Sequence, residues 1–272
     1  MQKQHAIAII DSGVGGLTVA REVMRQLPQE QIIYFGDNAR CPYGSRDPEE
    51  IRYFCLQMVD FLSQYPLKAL VIACNTATAV ALEDLRERLN IPVLGVIEPG
   101  ARAALSASRS GRIGVIGTET TIRTAAYERA LRRIHPELYV VGKACPAFVP
   151  LVEQQLQHTE EAVRIVKETL APLHQYDLDT LILGCTHYPL LTSLIAEAMG
   201  ETVTLISSAE ETARELSMLL SLQDSLATAR GDGVEHHFYT SGDDVTFRNI
   251  GEAWFGCHIN VQRKILEKAP NF

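Results

Sequence analysis

Two cysteines in this chain close apolar runs in the same way. Residues 69 to 78 read ALVIACNTAT and residues 180 to 189 read TLILGCTHYP, so Cys74 and Cys185 recur in one local setting 111 positions apart. A single cysteine of this kind is ordinary, because a free thiol packs as a small hydrophobe. A matched pair suggests chemistry. Two thiols on opposite sides of a small molecule can invert a stereocentre: a thiolate takes a proton from one face, and a thiol returns a proton to the other. With a free pKa near 8.5, only a few per cent of a thiol is ionised at neutral pH, so local help is needed. Helices expected to begin just after Cys74 and Cys185 would aim their positive ends at the thiolates and lower their pKa values. Asp11 and His187 are the neighbours able to orient or shuttle protons, and mutual repulsion favours one thiolate over two.

The elements that must position these residues alternate strand and helix. Short apolar runs at 6–10, 32–35, 69–73 and 93–97 read as strands buried on both faces, separated by helical patterns at 17–27, 49–62 and 77–89. The alternation restarts with a strand at 112–117, a helix around 123–134, a strand at 139–142, a long helix around 149–170, a strand at 180–184, another helix and a strand at 203–207. A late strand at 236–241, a helix near 243–253 and a final strand-like CHINVQR close the chain. This pattern predicts parallel sheets with crossover helices. The segment 98–112, EPGARAALSASRSGR, is the one candidate crossing between two units.

The halves resemble each other. Ile10-Asp11-Ser12 and Ile116-Gly117-Thr118 are offset by 106, as are Gly36 and Gly142; Cys41-Pro42 and Cys145-Pro146 are offset by 104. Four ordered anchors at nearly one offset imply an internal duplication. The expected architecture is therefore α/β, with two pseudo-symmetric parallel-sheet domains, 1–98 plus 208–272 and 99–207, facing each other across a cleft. Ligands in open α/β sheets bind beyond the carboxyl ends of the strands, where Asp11, Cys74 and Cys185 fall.

Other uses of these residues fit less well. Zinc held by Cys74, Cys185 and His187 lacks the close C-x-x-C spacing of structural sites. GVGGLT is not a dinucleotide loop, because its third glycine would fall at Thr18. Pyridoxal phosphate needs a Schiff-base lysine, and Lys3, Lys68, Lys143, Lys167, Lys264 and Lys268 all lie outside the cysteine motifs. The expectation is chemistry with no cofactor and no metal. Cys55 and Cys257 read as core, and Cys41 and Cys145, each before a proline, as structural.

The segments DSGVGG (11–16), CPYG (41–44), ACNTA (73–77), CPAFVPLVE (145–153) and GCTHYPLL (184–191) together resemble the glutamate racemases of the cofactor-independent aspartate/glutamate racemase superfamily. That resemblance implies Cys74 and Cys185 as the acid/base pair, Cys74 acting on D-glutamate and Cys185 on L-glutamate. It implies Asp11, Glu153 and His187 as assisting groups, and substrate contacts from Asp11, Ser12, Tyr43, Gly44, Asn75, Thr76, Thr186 and His187. It also implies a role in supplying D-glutamate for bacterial peptidoglycan. Racemisation of aspartate or another amino acid is the alternative within the superfamily, and a gyrase-inhibiting binding protein is the alternative outside catalysis.

Composition bounds the partners. The chain has 272 residues, 46% hydrophobic and 21% charged, with a formal net charge of −8. This balance argues against a general nucleic-acid binder. No apolar run approaches the roughly 20 residues of a membrane helix, and the first one meets Asp11 too early for a signal-peptide core. A cytoplasmic location is expected, with the six cysteines reduced. The expected partner is a small-molecule substrate, with no nucleic acid, no membrane and a homodimer left open.

Overall fold

The computed structural model describes residues 2–228 and 234–266. Residues 229–233 and 267–272, all within the expected 208–272 segment and including Lys268, lie outside the described residues. In chain order the strands are β1 (Ala6–Asp11), β2 (Ile32–Gly36), β3 (Leu67–Ile72), β4 (Val93–Gly95), β5 (Arg112–Gly117), β6 (Tyr139–Ala144), β7 (Thr180–Gly184), β8 (Thr204–Ile206), β9 (His237–Thr240) and β10 (Val261–Arg263). They form a six-stranded sheet in the order β10-β9-β2-β1-β3-β4 and a four-stranded sheet in the order β6-β5-β7-β8. Every pairing is parallel. The expected α/β class with two parallel sheets is borne out.

The apolar runs follow from burial on both faces. All six positions of β1 are buried, as central parallel strands require. In the larger sheet, Ile9, Tyr34 and Val71 belong to the core on one face, and Ile10, Phe54 and Ile72 to the core on the other. The smaller sheet likewise separates Phe148, Ile116 and Leu183 from Val115, Tyr127 and Ile182.

The duplication is visible in topology and register. The order β2-β1-β3-β4 is repeated four strands later as β6-β5-β7-β8. Ile10 pairs with Ile72 in the first sheet, and Ile116 with Leu183 in the second. Cys74 and Cys185 each stand two residues beyond these partners, so they occupy equivalent positions. One anchor fails: Gly142 lies inside β6, which runs on to Ala144, whereas Gly36 closes β2.

Several elements differ from the sequence pattern. The run at 93–97 is a strand only over β4, and Ile97 opens a helix, Ile97–Ala107, through which the chain passes from the first sheet to the second. Pro99 is tolerated there, because in a first helical turn its missing N–H has no intrahelical acceptor to lose. The helix expected around 149–170 is two helices, Phe148–Glu153 and Glu160–Leu170. Gln155 takes a left-handed φ of 56° between them, and Thr159 caps the second by accepting the Ala162 N–H. The helix around 123–134 similarly divides into Glu119–Arg123 and Ala126–Ile134, with Ala125 left-handed between them. Helix Ser208–Leu222 was not anticipated, although Ser207 followed by Glu210 and Glu211 is a start signal; the Ser207 side chain accepts the Ala209 N–H. Cys55 is buried in helix Pro48–Leu62 as expected, but Cys257 is exposed and lies outside any strand, between helix Asp244–Phe255 and β10. No helix among the described residues is long and apolar enough to cross a membrane.

Candidate active site

The carboxyl ends of β1, β3 and β7 and the loop that follows β2 deliver the candidate residues to one cleft. Ser12, Tyr43, Gly44, Cys74, Asn75, Thr76, Cys185, Thr186 and His187 line it, with ≈ 280 Å³ of space between the atoms. A larger groove, with ≈ 1830 Å³ of such space, runs past Arg21, Arg25, Glu210, Arg214 and Trp254, but none of the candidate residues lines it. The smaller cleft is the better candidate because both strand-end thiols face it.

Cys74 caps helix Asn75–Arg88, which begins two residues earlier than the pattern suggested, and its Sγ accepts the Ala77 N–H at 3.4 Å. Ser12 Oγ lies 3.6 Å from the same sulfur. The expectation that a helix terminus lowers this pKa is only partly met. Burial and the neighbouring Asp11 charge outweigh the Ala77 and Ser12 hydrogen bonds and push the thiol up to about 12. Asp11 is 1% exposed and is not among the residues lining the cleft. Its carboxylate accepts the Gly13 N–H at 2.9 Å and the Thr186 hydroxyl at 3.4 Å. Burial raises its pKa, against the opposing pull of His187.

Cys185 is served differently. No α-helix begins just after it: a 3-10 turn, Tyr188–Leu191, precedes helix Thr192–Met199, so the expected helix dipole is missing here. Its neighbour is His187, whose Nδ1 lies 3.8 Å from the sulfur and whose Nε2 lies 2.6 Å from Glu153 Oε1. Burial opposes a charge on this imidazole, but its bonds to Cys185 and Glu153 prevail and push its pKa up to about 10. Glu153 ends helix Phe148–Glu153 instead of lying within a longer one, and its side chain reaches His187. Gly15 is a requirement of this arrangement, since a Cβ there would collide with Thr186 Oγ1 and the His187 ring.

The remaining candidates split. Tyr43 lines the cleft, but its hydroxyl is committed to the buried Asp37, so what it offers a ligand is its backbone. The neighbouring Gly44 carbonyl accepts the Thr120 N–H at 3.0 Å, which ties this loop to the second sheet's side of the cleft. Thr76 Oγ1 lies 2.9 Å from Thr118 Oγ1, and Thr118 Oγ1 lies 3.0 Å from Thr121 Oγ1. Thr118 was not singled out as a site residue, yet its signal was present: it is the 106-residue counterpart of Ser12. Cys41 was read as structural, but its Sγ lies 3.8 Å from Glu153 Oε1. Cys41, Glu153 and His187 place their donor atoms within 4.8 Å of one another, a different trio from the zinc set weighed on sequence. The 2.6 Å contact between His187 and Glu153 is that of an imidazole–carboxylate hydrogen bond, closer than two ligands of one metal ion stand.

Comparison with known proteins decides the family. Residues 8–216 match the model of the Asp/Glu/Hydantoin racemase family. The chain belongs to this family. It is therefore similar in kind to amino-acid racemases, which are isomerases, as its motifs implied. The glutamate racemase of Exiguobacterium sibiricum is 53% identical over 263 residues, covering 96% of each chain. The crystal structure of glutamate racemase isoform RacE1 from Bacillus anthracis is 52% identical, covers 96% of this chain and 98% of that one, and superposes with a TM-score of 0.93. That of the Francisella tularensis glutamate racemase in complex with D-glutamate is 33% identical, covers 97% and 98%, and has a TM-score of 0.89.

Proposed function

We propose that this racemase interconverts L- and D-glutamate by a two-base mechanism with Cys74 and Cys185, and that it works in the cytoplasm to supply D-glutamate for peptidoglycan. The observation that carries the mechanism is the register equivalence of two thiols that line one cleft. The substrate preference rests on relatives named glutamate racemase that match over nearly the whole chain.

Among the described residues lining the cleft there is no arginine or lysine, so neutral donors meet the substrate's carboxylates. These are the hydroxyls of Ser12, Thr76, Thr118 and Thr186, the Asn75 amide and the N-terminal N–H groups of helix Asn75–Arg88. Asp11 supplies the negative charge that balances the α-ammonium. In the direction from L-glutamate, Cys185 as thiolate takes the α-proton, with His187 as its partner. Cys74, held as the neutral thiol, returns a proton to the opposite face. The reverse direction exchanges the roles, and the substrate ammonium then offsets the Asp11 charge that opposes a Cys74 thiolate. The demand is large: turnover near 10 per second allows a barrier of only about 16 kcal/mol. Donors aimed at the enolate-like charge in a dry cleft lower that barrier.

The test is circular dichroism of purified protein with L-glutamate or L-aspartate in deuterated water, with chelator and without pyridoxal phosphate. The glutamate signal should decay to zero, and newly formed D-glutamate should carry deuterium at the α-carbon from the first turnover. Activity that chelator removes and zinc restores, faster decay with aspartate, or retention of the original hydrogen in product would each overturn this reading.

A further inference from the structure

We propose that Tyr127, from the second sheet's side of the molecule, is the positioning residue that fixes the Asn75 amide with its N–H₂ group toward the cleft, so that this position takes an anionic oxygen and refuses a donor. The inference rests on the glutamate reading above. Tyr127 lies in helix Ala126–Ile134 and Asn75 opens helix Asn75–Arg88, yet the Tyr127 hydroxyl donates to Asn75 Oδ1 at 2.7 Å. Both side chains are 2% exposed.

The bond has a direction. An amide oxygen only accepts, so Tyr127 donates and Asn75 Oδ1 accepts. An amide whose oxygen is held in this way must turn its nitrogen elsewhere. Asn75 Nδ2 is buried and has no hydrogen-bond partner among the described residues, while Asn75 lines the cleft. A buried donor without a partner is costly, on the scale of a lost hydrogen bond, and a ligand oxygen in the cleft relieves it.

The backbone makes room for this reach. A Cβ on Gly184, the last residue of β7, would stand 3.1 Å from the Tyr127 ring, and one on Gly100 would stand 3.1 Å from its hydroxyl oxygen. The ring thus passes glycines on two elements to bring one oxygen to Asn75. Packing alone would be served by phenylalanine; the hydroxyl is what the amide needs.

The experiment measures KM and kcat for L-glutamate in wild type, Tyr127→Phe, Asn75→Ala and the double variant, with thermal melting of each. Tyr127→Phe should raise KM about 10-fold while kcat changes less, the scale of one hydrogen bond made to a bound ligand. In the Asn75→Ala background the same change should leave KM where it is, because the amide it positions is gone. Asn75→Asp serves as a second variant should Tyr127→Phe melt early: it keeps an oxygen for Tyr127 but removes the donor, and should bind glutamate more weakly than Asn75→Ala. An unchanged KM in folded Tyr127→Phe, an equal KM increase in both backgrounds, or Asn75→Asp binding as well as wild type would overturn the inference alone. A wild type that does not turn over glutamate would overturn the underlying reading and this inference with it.

Discussion

The two cysteine ends occupy equivalent register positions but are equipped differently. Cys74 is stabilised by two fixed donors, a helix N–H and the Ser12 hydroxyl, against the opposing charge of the buried Asp11. Cys185 lacks the helix and instead has a titratable pair, with His187 between its sulfur and Glu153. Duplication placed the thiols alike, and the loops that follow them then diverged in chemistry. Fixed dipoles stabilise charge without carrying protons, whereas an imidazole–carboxylate pair can do both.

Removing a thiol tests the equivalence most severely. Cys74→Ser and Cys185→Ser should each lower racemisation about 10²-fold or more, the scale of a positioned acid/base group. A glutamate analogue with a leaving group on its β-carbon separates the two ends, because elimination needs only the first proton removal. Cys74→Ser should still process the L-analogue and fail on the D-analogue, and Cys185→Ser should do the reverse. Equal losses on both enantiomers in folded variants would remove the facing-bases model.

Replacing the titratable partner is the next test. His187→Asn should lower kcat/KM about 10- to 100-fold. The loss must be equal in both directions, since the enantiomers have equal free energy, so the asymmetry should show as weaker elimination from the L-analogue than from the D-analogue. The same variant bears on stability. His187 has a pKa raised from 6.5 to about 10 in the folded chain, so protonation favours the folded state. The stabilisation is fully present below pH 6.5 and is lost as pH rises through about 10. Wild type should therefore exceed His187→Asn by about 2 kcal/mol in urea unfolding near pH 6, the scale of a charge-assisted hydrogen bond, and the gap should narrow as pH rises toward 10 and close above it. A gap that does not depend on pH would mean that the imidazole only fills space.

The smallest effect belongs to a cysteine outside the comparison. Cys257 is exposed, so Cys257→Ser should leave activity unchanged and stability within about 0.5 kcal/mol. In the wild type, Cys257 should be the first thiol alkylated, as read by peptide mass mapping. Faster labelling of Cys74 or Cys185 would show the cleft to be open in solution.

Much of this protein was legible in residue order because local rules govern it. The buried parallel strands read as continuous apolar runs, and the equivalence of Cys74 and Cys185 was visible as an ordered offset, because a duplicated topology keeps residue types at strand ends. Caps were readable where a side chain acts on its own next turn, as at Ser207, although that start was passed over. Tertiary structure alone decided the rest, because it depends on groups far apart in the chain. The path of residues 97–107 as a helix rests on packing that overrides Gly100, and the break near Gln155, just after Glu153, is a backbone conformation that composition does not announce. The direction of the Cys74 pKa shift came from burial, which no local motif reports. Tyr127 reaching Asn75 from 52 positions away is the clearest case, since only the fold brings a phenol from one sheet's side to an amide on the other's.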